Sequence, residues 1–420
     1  MRATRPHAEA SAGQERGRPG TRWPAWAALR ADLAVLAHRR PAVCRMTELG
    51  RSREGRPLEL LSIDGGPHAL LVVGGVHANE VVSAATLQVL VRRVLDEPEL
   101  RHQWSWHFVS CIDPDGAVLN EGWSHTGRPP ELSAYHRGFF RPALNEQPEW
   151  SLPGDDTGAT TAEGTALMKA IDLTRPALMA ALHCRDSQGT YLTASTAVDG
   201  LDTLLADAAA RHGLSVDPHP CDGIGAPAAG RGVVLLPPPD IPRSPDTVPR
   251  GRGSAAHASR YGTLSVYPEV PMWHSRPLAL GAEDGADHLD QASARLGTLW
   301  QTVRAQGPDT VFTTAITDTL TIMDRMAPLL RQHPQEGNQQ DLALLVPLRA
   351  TGMLLRHLDT LLACSPGRPR GLADQRDAVS DEFERRARAA AAALTPRPQS
   401  VAALTGFQIS IILGAARLIT

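Results

Sequence analysis

His77 and Glu80 stand three residues apart in the stretch 72–87, VVGGVHANEVVSAATL, where an apolar run stops at a glycine pair and a helix-like pattern starts. His183 closes a second apolar run, ALMAALH, and Glu269 sits in TLSVYPEVPMW just before Pro271. An imidazole, a carboxylate and a second imidazole make a three-ligand set for zinc that leaves a fourth position for water. Zinc in such a site lowers the pKa of that water to roughly 7 and makes hydroxide available at neutral pH. A glutamate in an otherwise apolar strand end is costly to bury unless it has a task. Beside such a water, Glu269 has the chemistry of a general base. The His-x-x-Glu pair by itself recurs by chance, and Glu269 by itself also fits an exposed edge position. The weight comes from three residues that all fall at strand ends.

Those strand ends need a sheet to hold them. HALLVVGGV (68–76) is a continuous apolar run bounded by glycine, as expected of a central strand covered on both faces. The amphipathic segment 80–100 follows as a helix ended by Pro98, with Glu80 at its start, where a carboxylate suits the helix dipole. A helix is predicted over 23–40, strands around 58–63 and 104–112, and a helix followed by a strand over 163–184. A strand returns over 261–273. Strands alternating with helices predict an α/β fold with a mixed, mostly parallel central sheet flanked by helices. In such sheets ligands bind in the crevice outside the carboxyl ends of the strands, where His77 and His183 stand. The stretch 217–253 is rich in proline and glycine and is predicted as a long surface loop. From about residue 280 five segments show helical periodicity, which predicts an α-helical appendage of four or five antiparallel helices. The layout is therefore a disordered tail over 1–21, a catalytic domain over 22–280 and an α-helical domain over 281–420.

Composition narrows the class. The chain has 420 residues, 42% of them hydrophobic, and a net charge of −3, which gives no bulk reason to expect nucleic acid. Lysine occurs once, at Lys169, so the basic residues are almost all arginine, and coding bias toward Ala, Arg, Gly and Pro accounts for that. The cysteines are odd in number and scattered with no Cys-x-x-Cys pair, so a reducing compartment fits better than a disulfide framework. The first 20 residues lack an apolar core of signal-peptide type, and cytoplasmic residence is the default expectation. The most apolar stretch, SVAALTGFQISIILGAARLI, is interrupted by Gln408 and Arg417 and reads as a packed helix and not a membrane span. Its apolar face and those of the neighbouring helices must be buried, within the chain or in a homo-oligomer through the C-terminal helices.

The motifs, taken in order, resemble the zinc carboxypeptidases. ELGRSREGRPLELLSI is similar to that family's opening turn, with Gly50, Ser52, Gly55 and Arg56 in place. HANE matches the His-x-x-Glu zinc motif, and DPDG is similar to the family's Asn-Pro-Asp-Gly turn with Asp113 for asparagine. LHCRDSQGTYL fits the segment of the second zinc-binding histidine, and EVPMW resembles the segment of the catalytic glutamate. The resemblance covers roughly residues 23–280.

It implies one Zn2+ per chain on His77, Glu80 and His183. Glu269 would pass the water's proton to the leaving amine, and the substrate would be a peptide or peptide-like molecule near a free carboxylate. In the family, arginines share the oxyanion with zinc and grip the terminal carboxylate. Arg141 is the candidate for the grip, with Phe140 where the family has asparagine, and Arg137 and Arg128 are candidates for the oxyanion. No clear equivalent of the family's loop tyrosine is visible; His257 is the nearest stand-in. Two other readings stay open: a zinc amide hydrolase acting on an N-acyl amino acid or peptide-like product, and a catalytically inactive binding protein on the same fold.

Overall fold

The computed structural model describes residues 23–124, 130–151, 160–220, 226–236, 253–276, 281–333, 340–364 and 370–420. The tail expected to be disordered, 1–21, lies outside the described residues, as does most of the predicted loop between 217 and 253. The strands are β1 (Cys44–Arg51), β2 (Pro57–Ile63), β3 (His68–Val73), β4 (Trp104–Val109), β5 (Leu178–Ala181), β6 (His183–Arg185), β7 (Tyr191–Ala194), β8 (Val233–Leu235) and β9 (Leu264–Pro271), with a small pair β10 (Trp273–His274) and β11 (Arg397–Pro398). The helices are α1 (Trp26–Arg39), α2 (Val82–Asp96), α3 (Pro114–Leu119), α4 (Glu121–Ser124), α5 (Leu132–Gly138), α6 (Ala162–Thr174), α7 (Leu201–His212) and α8 (Ser254–Ala258). The C-terminal set is α9 (Ala282–Arg304), α10 (Phe312–Gln332), α11 (Gln340–Cys364), α12 (Arg370–Leu394) and α13 (Val401–Leu418).

Strands β1 to β9 form one mixed sheet in the order β1-β2-β4-β3-β5-β9-β7-β8, with β6 beside β9. Strands β4, β3, β5 and β9 run parallel, β6 runs parallel to β9, and β1, β2 and β7 make antiparallel pairings. The apolar run in β3 explains its central place, because alternate residues face opposite layers. Leu70 and Val72 join the core shared with α2, α7 and α13, while Leu71 and Val73 join the core under α6 and α8. The mixed, mostly parallel sheet flanked by helices is as the sequence predicts. The edge strand β1 was not expected; it is only partly buried, and its ladder shifts register between Glu48 and Gly50, so it carries no clean alternation.

After β3 the chain must turn sharply at Gly75, which adopts φ +61°, and a Cβ there would come within 2.4 Å of the Cys111 sulfur. That turn delivers His77 and Glu80 to the end of the sheet. The two glycine-containing turns of the N-terminal half form one unit. Ser52 Oγ and Arg56 donate to Asp115 Oδ1, both at 2.7 Å, while Asp113 caps α3 by accepting from Gly116 N.

The C-terminal helices do not all stay together. α9, α10, α11 and α12 pack on one another, and α11 and α12 also cover α5. Arg356 of α11 donates to the carbonyls of Gly138, Phe139 and Leu119. α13 instead crosses to the sheet and packs on α2, α7 and β9. Among the described residues it is the one helix long and apolar enough to cross a membrane; Phe407, Ile411 and Ile412 on it are fully buried in the fold.

Candidate active site

His77 leaves the Gly75 turn, Glu80 lies two residues before the start of α2, and His183 opens β6. One donor atom from each can be chosen so that all three lie within 4.8 Å of one another. His77 Nδ1 is 2.8 Å from Glu80 Oε1, and His183 Nδ1 is 3.2 Å from Glu80 Oε2. The two imidazoles meet edge to face, 4.7 Å between centroids. Burial is nearly complete: His183 and Glu80 are each 4% exposed. Both ring nitrogens of His183 are buried without a well-directed hydrogen bond, and Nδ1 is the one that faces Glu80 and the candidate ligand set, as a ligand atom would. The site residues therefore fit zinc in number, type and reach.

Glu269 reaches the same place from β9. The parallel ladder sets His183 opposite Glu269, and Glu269 Oε1 lies 3.6 Å from His183 Nδ1. The Glu269 side chain is 14% exposed, more open than the three candidate ligands' buried carboxylate, so it has access to solvent at the mouth of the cluster.

The electrostatics of the cluster are strongly coupled. Burial pushes the Glu80 carboxyl up, but His77, Arg141 and His183 outweigh it and hold Glu80 well below the usual carboxylate range. Burial pushes the His183 imidazole down, and Glu149, Glu269 and Glu80 overcome that and raise it. His77 is lowered, by burial first and then by Arg141.

Several residues of the site were not visible from the sequence. Glu149, 1% exposed, places Oε2 3.2 Å from His183 Nε2, on the side of the ring away from Glu80. Asn79, inside the HANE motif, donates to Tyr135 OH at 2.8 Å, and Tyr135 OH donates to Asp186 Oδ1 at 3.1 Å. Arg349 of α11 pairs with Asp186 at 2.7 Å, and its guanidinium lies over the Phe139 ring. Tyr267 of β9 sets its ring 5.6 Å from that of His183. The only cue available beforehand was that Asn79 lies between two candidate ligands.

The arginines divide. Arg141 is at the cluster: its Nε donates to Asn79 Oδ1 at 2.8 Å and its Nη2 pairs with Glu80. Arg137, expected to bind substrate, is turned elsewhere. It pairs with Glu384 of α12 at 3.0 Å and lies over the Phe383 ring, because α5 is covered by α12 on that side. Arg128 lies outside the described residues. Phe140 packs edge-on against Phe312 of α10, an apolar contact that asparagine could not make. His257, the suggested stand-in for a tyrosine, is buried in a separate cluster, with Nε2 2.7 Å from Asp172 of α6 and Nδ1 beside Arg260.

Residues 29–191 match the family model described as zinc carboxypeptidase. That match includes His77, Glu80 and His183 and ends before Glu269. Among solved structures the chain is similar to carboxypeptidase A from Helicoverpa armigera, at 17% identity over 62% of this chain and 68% of that one, with a TM-score of 0.41. It is also similar to a metallo-carboxypeptidase from Burkholderia cenocepacia, at 20% identity over 58% of this chain and 59% of that one, with a TM-score of 0.34.

Proposed function

We propose that this chain is a zinc-dependent peptidase of carboxypeptidase type that hydrolyses an amide bond near a free carboxylate of a peptide or peptide-like substrate, with one zinc per chain. The observation that carries the reading is the convergence of His77, Glu80 and His183 within 4.8 Å, with Glu269 3.6 Å from His183. Zinc bound by those three residues supplies Lewis acidity and an ionisable water at neutral pH. Glu269 takes the proton from the attacking water and returns it to the leaving nitrogen, a task suited to a largely buried carboxylate next to the ligand set. Glu149 sets a carboxylate oxygen 3.2 Å from His183 Nε2, a charge contact that favours Nδ1 toward the ligand set and raises the basicity of the ligand. Arg141 supplies the positive charge nearest the cluster; its planar fork is matched to a carboxylate, and Asn79 fixes its direction.

The test joins metal analysis with a panel of peptides. Purified protein is expected to hold one zinc and to cleave peptides with free C-termini faster than amidated ones. Protein that takes up no zinc, or zinc-loaded protein inert on the whole panel, refutes the peptidase reading.

A second reading, a zinc amide hydrolase on an N-acyl amino acid, uses the same three ligands and Glu269, and the Arg141 fork beside Glu80 suits the carboxylate of either substrate. Release of amino acid from N-acyl amino acids with no cleavage of blocked dipeptides decides for it.

A further inference from the structure

The C-terminal helix α13 carries a polar residue that neither solvent exposure nor helix propensity explains. Gln408 is fully buried in a segment of Ala, Leu, Ile, Phe and Gly, where an apolar side chain of the same size would avoid the cost of desolvating an amide. Its hydrogen-bond partners belong to segments that carry the site. Its Nε2 donates to the His183 carbonyl at 2.8 Å and to the Pro268 carbonyl at 3.3 Å. Its Oε1 accepts from Thr86 Oγ1 at 2.6 Å. The orientation is unambiguous, because a reversed amide would set oxygen against two carbonyl oxygens. Pro268 is the residue before Glu269, and Thr86 lies on α2, the helix that Glu80 precedes.

We infer that Gln408 is a positioning residue for the metal site, and that α13 is thereby a working part of the active centre. This rests on the reading of His77, Glu80, His183 and Glu269 given above. One rigid planar amide ties the strand that carries His183, the strand that carries Glu269 and the helix behind Glu80. It therefore fixes the spacing among the ligands and the base without touching any of their side chains. A Gln in this place that only satisfied a hole in the core would affect stability and nothing else.

The test uses the full chain. Gln408→Met keeps volume and removes the amide; Ile412→Val, one turn along the same buried helix, serves as a control for mild loss of packing. Zinc affinity of the metal-free proteins is measured by competition with a chromophoric chelator, and Co2+ is added in place of zinc to read the d–d spectrum. Cooperative thermal unfolding shows that each variant is folded. Gln408→Met is expected to weaken zinc binding by about 10- to 100-fold, the range seen when groups that orient metal ligands are removed, and to change the Co2+ spectrum. Ile412→Val is expected to leave both as in the parent chain. A folded Gln408→Met with parent affinity and spectrum overturns the inference. Should Gln408→Met fail to fold, Thr86→Val and Thr86→Ser decide. Loss of affinity in the first, restored in the second, supports the inference; parent affinity in Thr86→Val overturns it. A parent chain that binds no zinc strikes the reading of the site itself, and is told apart from the other outcomes by the parent measurement alone.

Discussion

The sharpest consequence of the site geometry concerns Glu149. Its carboxylate lies 3.2 Å from His183 Nε2, is 1% exposed, and has Ser254 Oγ at 3.3 Å on the other oxygen. With His183 Nδ1 on a bound zinc, Nε2–H would be the proton left for Glu149, which faces it at 3.2 Å off the ideal hydrogen-bond line. Glu149→Gln removes the charge and keeps the shape. A hydrogen bond to a charged group contributes about 1.5–3 kcal/mol and a neutral one about 1 kcal/mol, so the substitution costs the ligand roughly 0.5–2 kcal/mol. That corresponds to about a 2- to 30-fold loss in zinc affinity, overlapping the range known for outer carboxylates on metal-bound histidines. The assay is zinc competition against a chelator on the metal-free protein at fixed pH. Far-UV circular dichroism checks that the fold is kept. The outcome to look for is weaker zinc binding with an unaltered fold. Unchanged or tighter binding in Glu149→Gln would refute the orientation of His183, and with it the choice of Nδ1 as the ligand atom.

Other consequences are more direct. Glu269→Gln is expected to retain zinc and lose about 10²- to 10⁴-fold in kcat, as removal of a general base does; full turnover in zinc-loaded protein removes Glu269 from the mechanism. Arg141→Lys keeps a charge beside Glu80 but not the fork that Asn79 directs. It should therefore raise KM for free C-termini several-fold more than for amidated ones, as read from paired kinetics. His136 is buried, and burial lowers its imidazole from 6.5 to about 3 despite the opposing Asp186. Between those values the unfolded chain binds the extra proton, so stability rises with pH there and is lost as pH falls, by about 1.4 kcal/mol per unit at most. His107, lowered to about 4 by burial, adds in the same sense. Asp113, raised to about 6 by burial, opposes both, because its folded form holds the proton longer. The pH dependence of denaturant unfolding in His136→Asn should thus be flatter below pH 6.5 than in the parent, and an equal slope would contradict the buried neutral state of His136.

How much of this was legible beforehand depends on range along the chain. The β3 strand, the Gly75 turn and the start of α2 follow from a run of apolar residues, a glycine pair and helical periodicity, all local. His77 and Glu80 are three residues apart on that local structure, so their approach needed no tertiary information. His183 and Glu269 could be placed at strand ends by pattern, but only the parallel β6–β9 ladder puts them opposite one another. The opening turn and the DPDG turn could be named separately; that Ser52 and Arg56 both reach Asp115 could not. Arg141 and Arg137 are four residues apart and look alike in sequence, yet one faces Glu80 and the other Glu384, because α12 covers α5 on one side only. Glu149 and Gln408 were invisible as site residues, since a lone glutamate in a loop and a glutamine in an apolar helix carry no periodic signal. The sequence by itself determined the central strands, the long helices and the strand ends that carry ligand-type residues, because those follow from local periodicity and backbone preference, whereas the edge strand β1 and the short strands β7 and β8 carry too little pattern to be read. The tertiary structure alone decided which buried polar groups pair across the core, because that depends on what each group finds within hydrogen-bond reach once hundreds of residues have packed.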